Sequence, residues 1–199
     1  MPRFLRRARS RLTSWRRRIV FNWLARGGGG FSSFAMFAIP ALAIASIVTF
    51  AWSSRSRGET RRVEAAQARA AELTCLAENI YYEARGEPLD GQYAVAEVTL
   101  NRVRSPFFPK TICAVVHDTR WDPLRRRFTA HFSWTQMEGR GEPWGPLWQQ
   151  SIAVATAVID EAHMPVVPDA LYYHANSVQP YWANTRRVVA RIGSHVFYR

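Results

Sequence analysis

Fifteen residues of this chain are acidic, and Glu83 has the position most suited to acid–base work. It sits beside an apolar stripe of Leu73, Leu76, Ala77, Ile80, Tyr81 and Ala84, spaced i, i+3, i+4, i+7, i+8 and i+11, which marks one face of an α-helix. Glu83 falls at the border of that face, about 90° from its centre, in the last turn before Gly86. Partial burial disfavours a carboxylate. The negative end of the helix dipole disfavours it further. A carboxyl that keeps its proton near neutral pH can serve as a general acid towards a leaving oxygen. An ordinary boundary carboxylate is the other reading that position alone allows. Glu78 points away from the stripe and is read as solvated. Glu87 lies past the break and can orient a loop or bind Arg85. Asp118, Asp122 and Glu138 stand in or near loops and could supply a second carboxyl.

Other reactive side chains are sparse. None of the five histidines, His117, His131, His163, His174 and His195, pairs with a His or Glu at the close spacing that puts ligands on one helix face. The expectation is no metal and no cofactor. Cys75 and Cys113 are the two cysteines. They can form a disulfide if the domain lies in an oxidising compartment, or stand as buried thiols. A catalytic cysteine would need a histidine partner that nothing local supplies.

These residues require elements to hold them. Gly86 and Pro88 end the first helix. Asp90 can cap a second helix over residues 91–103, whose Ala94, Val95, Ala96, Val98, Leu100 and Val103 surround most of its circumference and predict deep burial. A third helix is predicted from Pro146 to Ala162, since proline suits a first turn. Residues 171–174 and 188–192 are short and β-prone, which predicts a small sheet or hairpin wing. Residues 119–145 are rich in Arg, Trp, Gly and Pro and read as long loops. The predicted class is α+β with helices dominant.

The N-terminal part differs in character. Nine arginines precede residue 27 with no acidic residue among them. Residues 31–52 carry no charge, and 22 residues at about 1.5 Å each span a hydrocarbon core. Trp52 suits the interface, and Pro40 is tolerated better in lipid than in water. The expected organisation is a basic cytoplasmic arm (1–30, with a flexible joint at 27–30), an uncleaved transmembrane anchor (31–52), a polar connector turning helical towards its end (53–72) and an exported domain (73–199). Of the net charge of +12, the tail carries +9. Residues 73–199 hold thirteen Lys or Arg against twelve Asp or Glu. A groove that tracks phosphates needs its charge on the fold, so no nucleic-acid partner is expected.

Several strings carry a resemblance. They are Leu76-Ala77-Glu78-Asn79-Ile80-Tyr81-Tyr82-Glu83-Ala84-Arg85-Gly86-Glu87-Pro88, then Gly91-Gln92-Tyr93-Ala94-Val95-Ala96 and Leu100-Asn101-Arg102-Val103. In the same order follow Phe108-Pro109-Lys110-Thr111-Ile112-Cys113, Phe132-Ser133-Trp134, Tyr173-His174-Ala175 and Ile192-Gly193-Ser194-His195. From about residue 73 onward the chain resembles the SleB/CwlJ-type cell wall hydrolases. The resemblance implies a lysozyme-like, transglycosylase-related fold that cuts the glycan strand of peptidoglycan, with Glu83 as the catalytic glutamate. By position, Arg85 and Glu87 could support it. Many relatives carry cysteines around the Phe-Ser-aromatic motif, where this chain has Ala130 and Gln136. The remaining motifs fit glycan binding. Trp134, Trp144, Tyr173 and Trp182 can stack on sugars, and Asn101, Ser133 and His174 can hydrogen-bond to them. Core packing is the competing reading for each aromatic, and a structural hydrogen bond within the wing for His174. A metal-dependent amidase or peptidase, or a non-catalytic envelope-binding module, are the alternative functions, and the domain could serve host wall remodelling or a phage lysin.

The arginines predict topology. Positive charge stays on the cytoplasmic side, so a reporter fused after Arg199 is expected to be active only outside the cytoplasm. Activity confined to the cytoplasm would reverse the orientation.

Overall fold

The computed structural model describes residues 31–123 and 126–199, with side chains from residue 38. The basic arm and its glycine joint lie outside the described residues. Two compact units divide the chain, Met1–Arg62 and Val63–Arg199.

In the first unit the described residues are helical and belong to α1 (Phe31–Ala84), with Pro40 inside it. Ile39, Leu42, Ile47, Phe50 and Trp52 are all exposed. Ser46 and Thr49 turn their hydroxyls back to the carbonyls of Leu42 and Ala45, which satisfies polar groups within the helix itself. By length and composition this helix can cross a membrane. Residues 53–72 are helical throughout rather than only towards their end. Their Ala, Arg, Glu and Gln are strong helix formers, and Gly58 alone costs only about 1 kcal/mol.

In the second unit the predicted stripe of α1 is buried at Leu76, Ala77, Ile80, Tyr81 and Ala84. The central element is α2 (Leu89–Arg104), buried without a break from Ala94 to Thr99. It begins two residues before the predicted start. Pro88 occupies the N-cap and no side chain caps the helix. Asp90 therefore lies inside the first turn, where its charge meets the positive end of the dipole, and does not cap. α2 packs against α3 (Ile112–Val116) and α4 (Gly145–Ile159). The five-residue α3, capped by the Thr111 side chain on the Ala114 amide, is too short to show a period in sequence. α4 stops three residues before the predicted end, because Asp160 caps it and Glu161 takes a positive φ of 54°. Val154, Ala155 and Val158 of α4 join Leu76, Ile80, Val115, Val116, Phe132 and Trp134 in the main core.

The stretch read as loops contains an antiparallel hairpin, β1 (Thr119–Asp122) and β2 (Arg127–Ala130), with Trp121 opposite Phe128. A 3-10 turn, Ser133–Gln136, follows. The wing is a three-stranded antiparallel sheet of β3 (Tyr172–Ala175), β4 (Val188–Ile192) and β5 (His195–Tyr198), with β5 in the middle. Every residue of β5 is buried. Phe197 packs into a cluster with Ala84, Val95 and Val98, while Val196 and Tyr198 pack with Ala183 and Trp182 on the other face. A strand covered on both faces has no polar alternation to reveal it, so sequence periodicity does not find β5. The α+β class with dominant helices and a small β wing is the fold observed.

The structure bonds Cys75 of α1 to Cys113 of α3, 38 residues apart in sequence. Closing a loop of this size typically stabilises a fold by about 2–4 kcal/mol. Cys113→Ser is expected to lower the thermal midpoint of the chain, and both native thiols should react with an alkylating agent only after reduction. Labelling of unreduced protein would contradict the bridge.

Candidate active site

Glu83 sits half-buried one residue before the end of α1. The Tyr173 hydroxyl donates to its Oε2 at 3.0 Å. Burial pushes the Glu83 carboxyl up, and the Tyr173 hydrogen bond and the positive charge of Arg102 offset part of that rise. Burial likewise pushes Tyr173 well above the usual phenol range, with the Glu83 charge acting in the same direction. Tyr173 is thus a neutral donor, and the proton of a neutral Glu83 belongs on Oε1.

Strand geometry decides which residues of the Tyr173-His174 motif can join this site. Successive side chains on a strand face opposite sides. Tyr173 pairs with Phe197 and shares its face with His195, which contacts the Tyr173 ring edge-on. His174 pairs with Val196 on the opposite face. Its Nδ1 donates to the Ala175 carbonyl and its Nε2 meets the Tyr198 hydroxyl at 2.8 Å. His174 is a structural part of the wing, as is half-buried Trp182, which packs on Tyr172, His174 and Tyr198.

The other expected site residues scatter. Trp134 is buried, stacked on Tyr82 at 4.6 Å, and donates through Nε1 to Asn79 Oδ1. Asn79 in turn donates to Thr99. This is core packing with a satisfied indole and not a surface for a sugar. Asn101 commits its amide to the carbonyls of Val167 and Ala170 and lines a cavity with Glu97, Arg104 and His163 that includes neither Glu83 nor Tyr173. Ser133 and Trp144 are exposed, and Glu78 is half-buried rather than fully solvated. Asp118 is held by Arg120 at 3.6 Å and His131 at 3.3 Å. Burial, then the charge of Arg102, pushes His131 down to about 4, with Asp118 opposing. Among the described residues no group of three or more His, Cys, Asp or Glu side chains is placed to hold a metal.

Glu87 does orient a loop, but through the β4–β5 turn and not through Arg85. Its carboxylate accepts the Ser194 amide and hydroxyl and lies 3.7 Å from His195 Nδ1. Burial would push Glu87 up, yet the Ser194 hydrogen bonds and His195 outweigh it and hold the carboxyl below its usual value. Arg85 instead lies exposed, 4.8 Å above the Tyr81 ring. Sequence reading missed one neighbour of the site, Arg102. It is buried on α2 and donates from Nε to the Leu171 carbonyl at 2.8 Å, two residues ahead of Tyr173. Its spacing from Val95, Val98 and Thr99, at i, i+3, i+4 and i+7, was the available signal.

Gly193 makes the Glu87 contact possible. It has φ +56°, and an added Cβ would lie 1.9 Å from Glu87 Oε2 and 2.9 Å from Pro88 Cδ. Gly193→Ala is expected to cost about 2 kcal/mol or more through strain and overpacking. In a thermal melt that is a drop of roughly 5 °C or more. An unchanged midpoint would mean that the turn does not need this approach.

The sequence profile of the cell wall hydrolase family matches residues 86–198, more than half of the chain, and begins just beyond Glu83. Over 129 residues the chain is 33% identical to the spore cortex-lytic enzyme of Bacillus subtilis (strain 168), covering 63% of this chain and 37% of that protein. The spore cortex-lytic enzyme of Oceanobacillus iheyensis is also 33% identical over 129 residues, with 41% of its length covered. The chain thus spans well under half the length of these curated relatives. Among solved structures, the catalytic domain of the germination-specific lytic transglycosylase SleB from Bacillus anthracis superposes with a TM-score of 0.48 at 28% identity, over 64% of this chain and 93% of that one. The motif order read from residue 73 onward and the profile match from residue 86 lead to one assignment: this chain belongs to the SleB/CwlJ-type cell wall hydrolase family.

Proposed function

We propose that the domain cuts the glycan strand of peptidoglycan between N-acetylmuramic acid and N-acetylglucosamine, as a lytic transglycosylase with Glu83 as its acid and base. The observation that carries the reading is the half-buried Glu83 carboxyl, raised by desolvation and held at Oε2 by Tyr173. The names of the curated relatives support the substrate class.

Glycoside hydrolysis by the usual scheme needs two carboxyls, about 5 Å apart for retention or roughly 6.5–9.5 Å for inversion. A single carboxyl suffices if the sugar supplies its own nucleophile. Glu83 protonates the glycosidic oxygen as the C1–O bond breaks. The C6 hydroxyl of the same muramic acid then attacks C1 and returns its proton to Glu83. One bond breaks, one forms, no water is consumed, and the 1,6-anhydro end is the product. The role reversal from acid to base is the one retaining enzymes use.

The proposed setting is the space outside the cytoplasmic membrane. The apolar part of α1 crosses the bilayer once, the arginine arm stays in the cytoplasm, and the domain faces the wall. This reading rests on charge asymmetry and on a helix whose apolar side chains are exposed.

Glu83→Gln keeps the size of the side chain and removes its acid. Release of fragments from sacculi is expected to fall by about 10²–10⁴-fold with the thermal midpoint kept. For the native protein, activity should decline as pH rises through the elevated Glu83 pKa, because the protonated form does the first step. Mass analysis of the fragments is expected to give anhydro ends. Fragments carrying an added water would reject the transglycosylase scheme, and full activity of Glu83→Gln would reject the residue.

A further inference from the structure

The loop between the 3-10 turn and α4 lies against the end of α1. There the Tyr82 hydroxyl donates to the Gly141 carbonyl at 2.6 Å. The Arg140 guanidinium carbon lies 5.7 Å from the Tyr82 ring centroid and 5.1 Å from that of Trp134, and these two rings are stacked on each other. Arg140 is exposed. No carboxylate among the described residues comes within 4.0 Å of it, although Glu138 and Glu142 stand two residues to either side in the chain. The Gly141 carbonyl already ties the loop to α1, so tethering the loop does not call for a cation at position 140.

Contacts and helix periodicity place this cation on the Glu83 side of α1. Trp134 donates to Asn79 Oδ1 at 2.9 Å. Asn79 and Glu83 are i and i+4, one above the other on the same helix face, with Cβ atoms about 5–6 Å apart. Tyr82 adjoins Glu83, and both are half-buried. Arg85 is the other exposed guanidinium seated on a tyrosine near the helix end. It does not share this side, because Tyr81 beneath it precedes Glu83 by two residues and points nearly the opposite way around the helix. A guanidinium held against aromatic rings keeps its N–H fork available for the two oxygens of a carboxylate. The rings also restrain the side chain before any ligand arrives, which lowers the entropy lost on binding.

We propose that Arg140 binds a stem-peptide carboxylate of peptidoglycan, beside the sugar on which Glu83 acts; this rests on the glycan-cleaving reading of Glu83. In that scheme the sugar that reacts at C1 is muramic acid. Its lactyl group at C3 carries the peptide stem, so the carboxylates of the first stem residues hang close to the cleaved bond. A cation with no acidic partner of its own, within a helix turn of the acid, is complementary to that part of the substrate. Arg140 thereby favours muramic acid with a charged stem over glycan whose stems are amidated or missing. It is a specificity residue that touches the substrate and takes no part in proton transfer.

The test reads binding without turnover, in the full Glu83→Gln chain held in detergent micelles. Sacculi are offered as isolated, and after their stem carboxyls have been amidated. Adding Arg140→Gln is expected to raise Kd for native sacculi by about fivefold or more and to leave Kd for amidated sacculi unchanged. Arg140→Lys, which keeps the charge and loses the fork, should fall between the two. Arg187→Gln removes another exposed arginine, just before β4, and measures the general effect of one charge, since the basic arm is common to every variant. Full affinity of Arg140→Gln for native sacculi overturns the proposal. So does a loss in Arg187→Gln as large as that in Arg140→Gln. An equal loss on native and amidated sacculi marks a loop-packing role and overturns it too. Failure of the chemistry shows separately: a chain with native Glu83 that binds through Arg140 yet releases no fragments keeps the carboxylate site and rejects the cleavage reading.

Discussion

α2 is enclosed on nearly every side, and a helix in that position cannot leave a polar side chain unanswered without a large cost. Four such side chains lie on it. Gln92, near its start, donates to the Glu87 carbonyl, and the other three each recruit a different part of the domain. Glu97 accepts the amides of Val166 and Val167 and meets His163, which fixes the loop after α4. Thr99 receives Asn79 of α1 and through it Trp134. Arg102 takes the Leu171 carbonyl at the entrance to β3. Apolar packing of α2 would allow many rotations of the surrounding elements. The polar contacts select one, because each requires a particular partner at hydrogen-bond distance.

Glu83 owes its environment to that selection. Its own helix places it at the edge of the core, which by position is unremarkable for a glutamate. β3, tied by Arg102 at Leu171 and paired with β5, brings the Tyr173 hydroxyl against it. Glu87 does parallel work one turn beyond the helix end, where it holds the β4–β5 turn through Ser194. Two acidic residues four apart thus have opposite fates. Glu83, left with one neutral donor, has its carboxyl pushed up by burial. Glu87, given several donors, stays ionised.

Much of this was legible in sequence where a single period governs the pattern. The stripe of α1, the breaking of the helix at Gly86, the burial of α2 and the strand at 188–192 all follow from spacing. The border position of Glu83 followed in the same way. What stayed hidden depends on partners distant in sequence. β5 has no alternation because both its faces are covered, α3 is shorter than one clear period, and β1–β2 are exposed strands in an arginine-rich stretch. Trp134, Asn101 and His174 have side chains that suit sugar binding, yet their hydrogen bonds go to Asn79, to two loop carbonyls and to Tyr198. Residue type alone cannot reveal such a commitment. The opposite facing of Tyr173 and His174 was available from the two-residue repeat of a strand.

The position of β5 in both the sheet and the chain bears on how the domain comes into being. It is the middle strand, and it follows every other described element in sequence. As the chain leaves the ribosome, α1 and α2 can pair early, but β3 and β4 have no neighbour until residues 195–198 emerge. The Glu83–Tyr173 contact, 90 residues apart in sequence, waits for that closure, since long-range pairings form only after their loops are closed. Until then Glu83 lacks its Tyr173 hydrogen bond. A nascent or truncated chain lacking β5 would carry every residue of the Glu83 motif without the strand that seats Tyr173 against it, so the surroundings of Glu83 are completed only by the last strand of the domain.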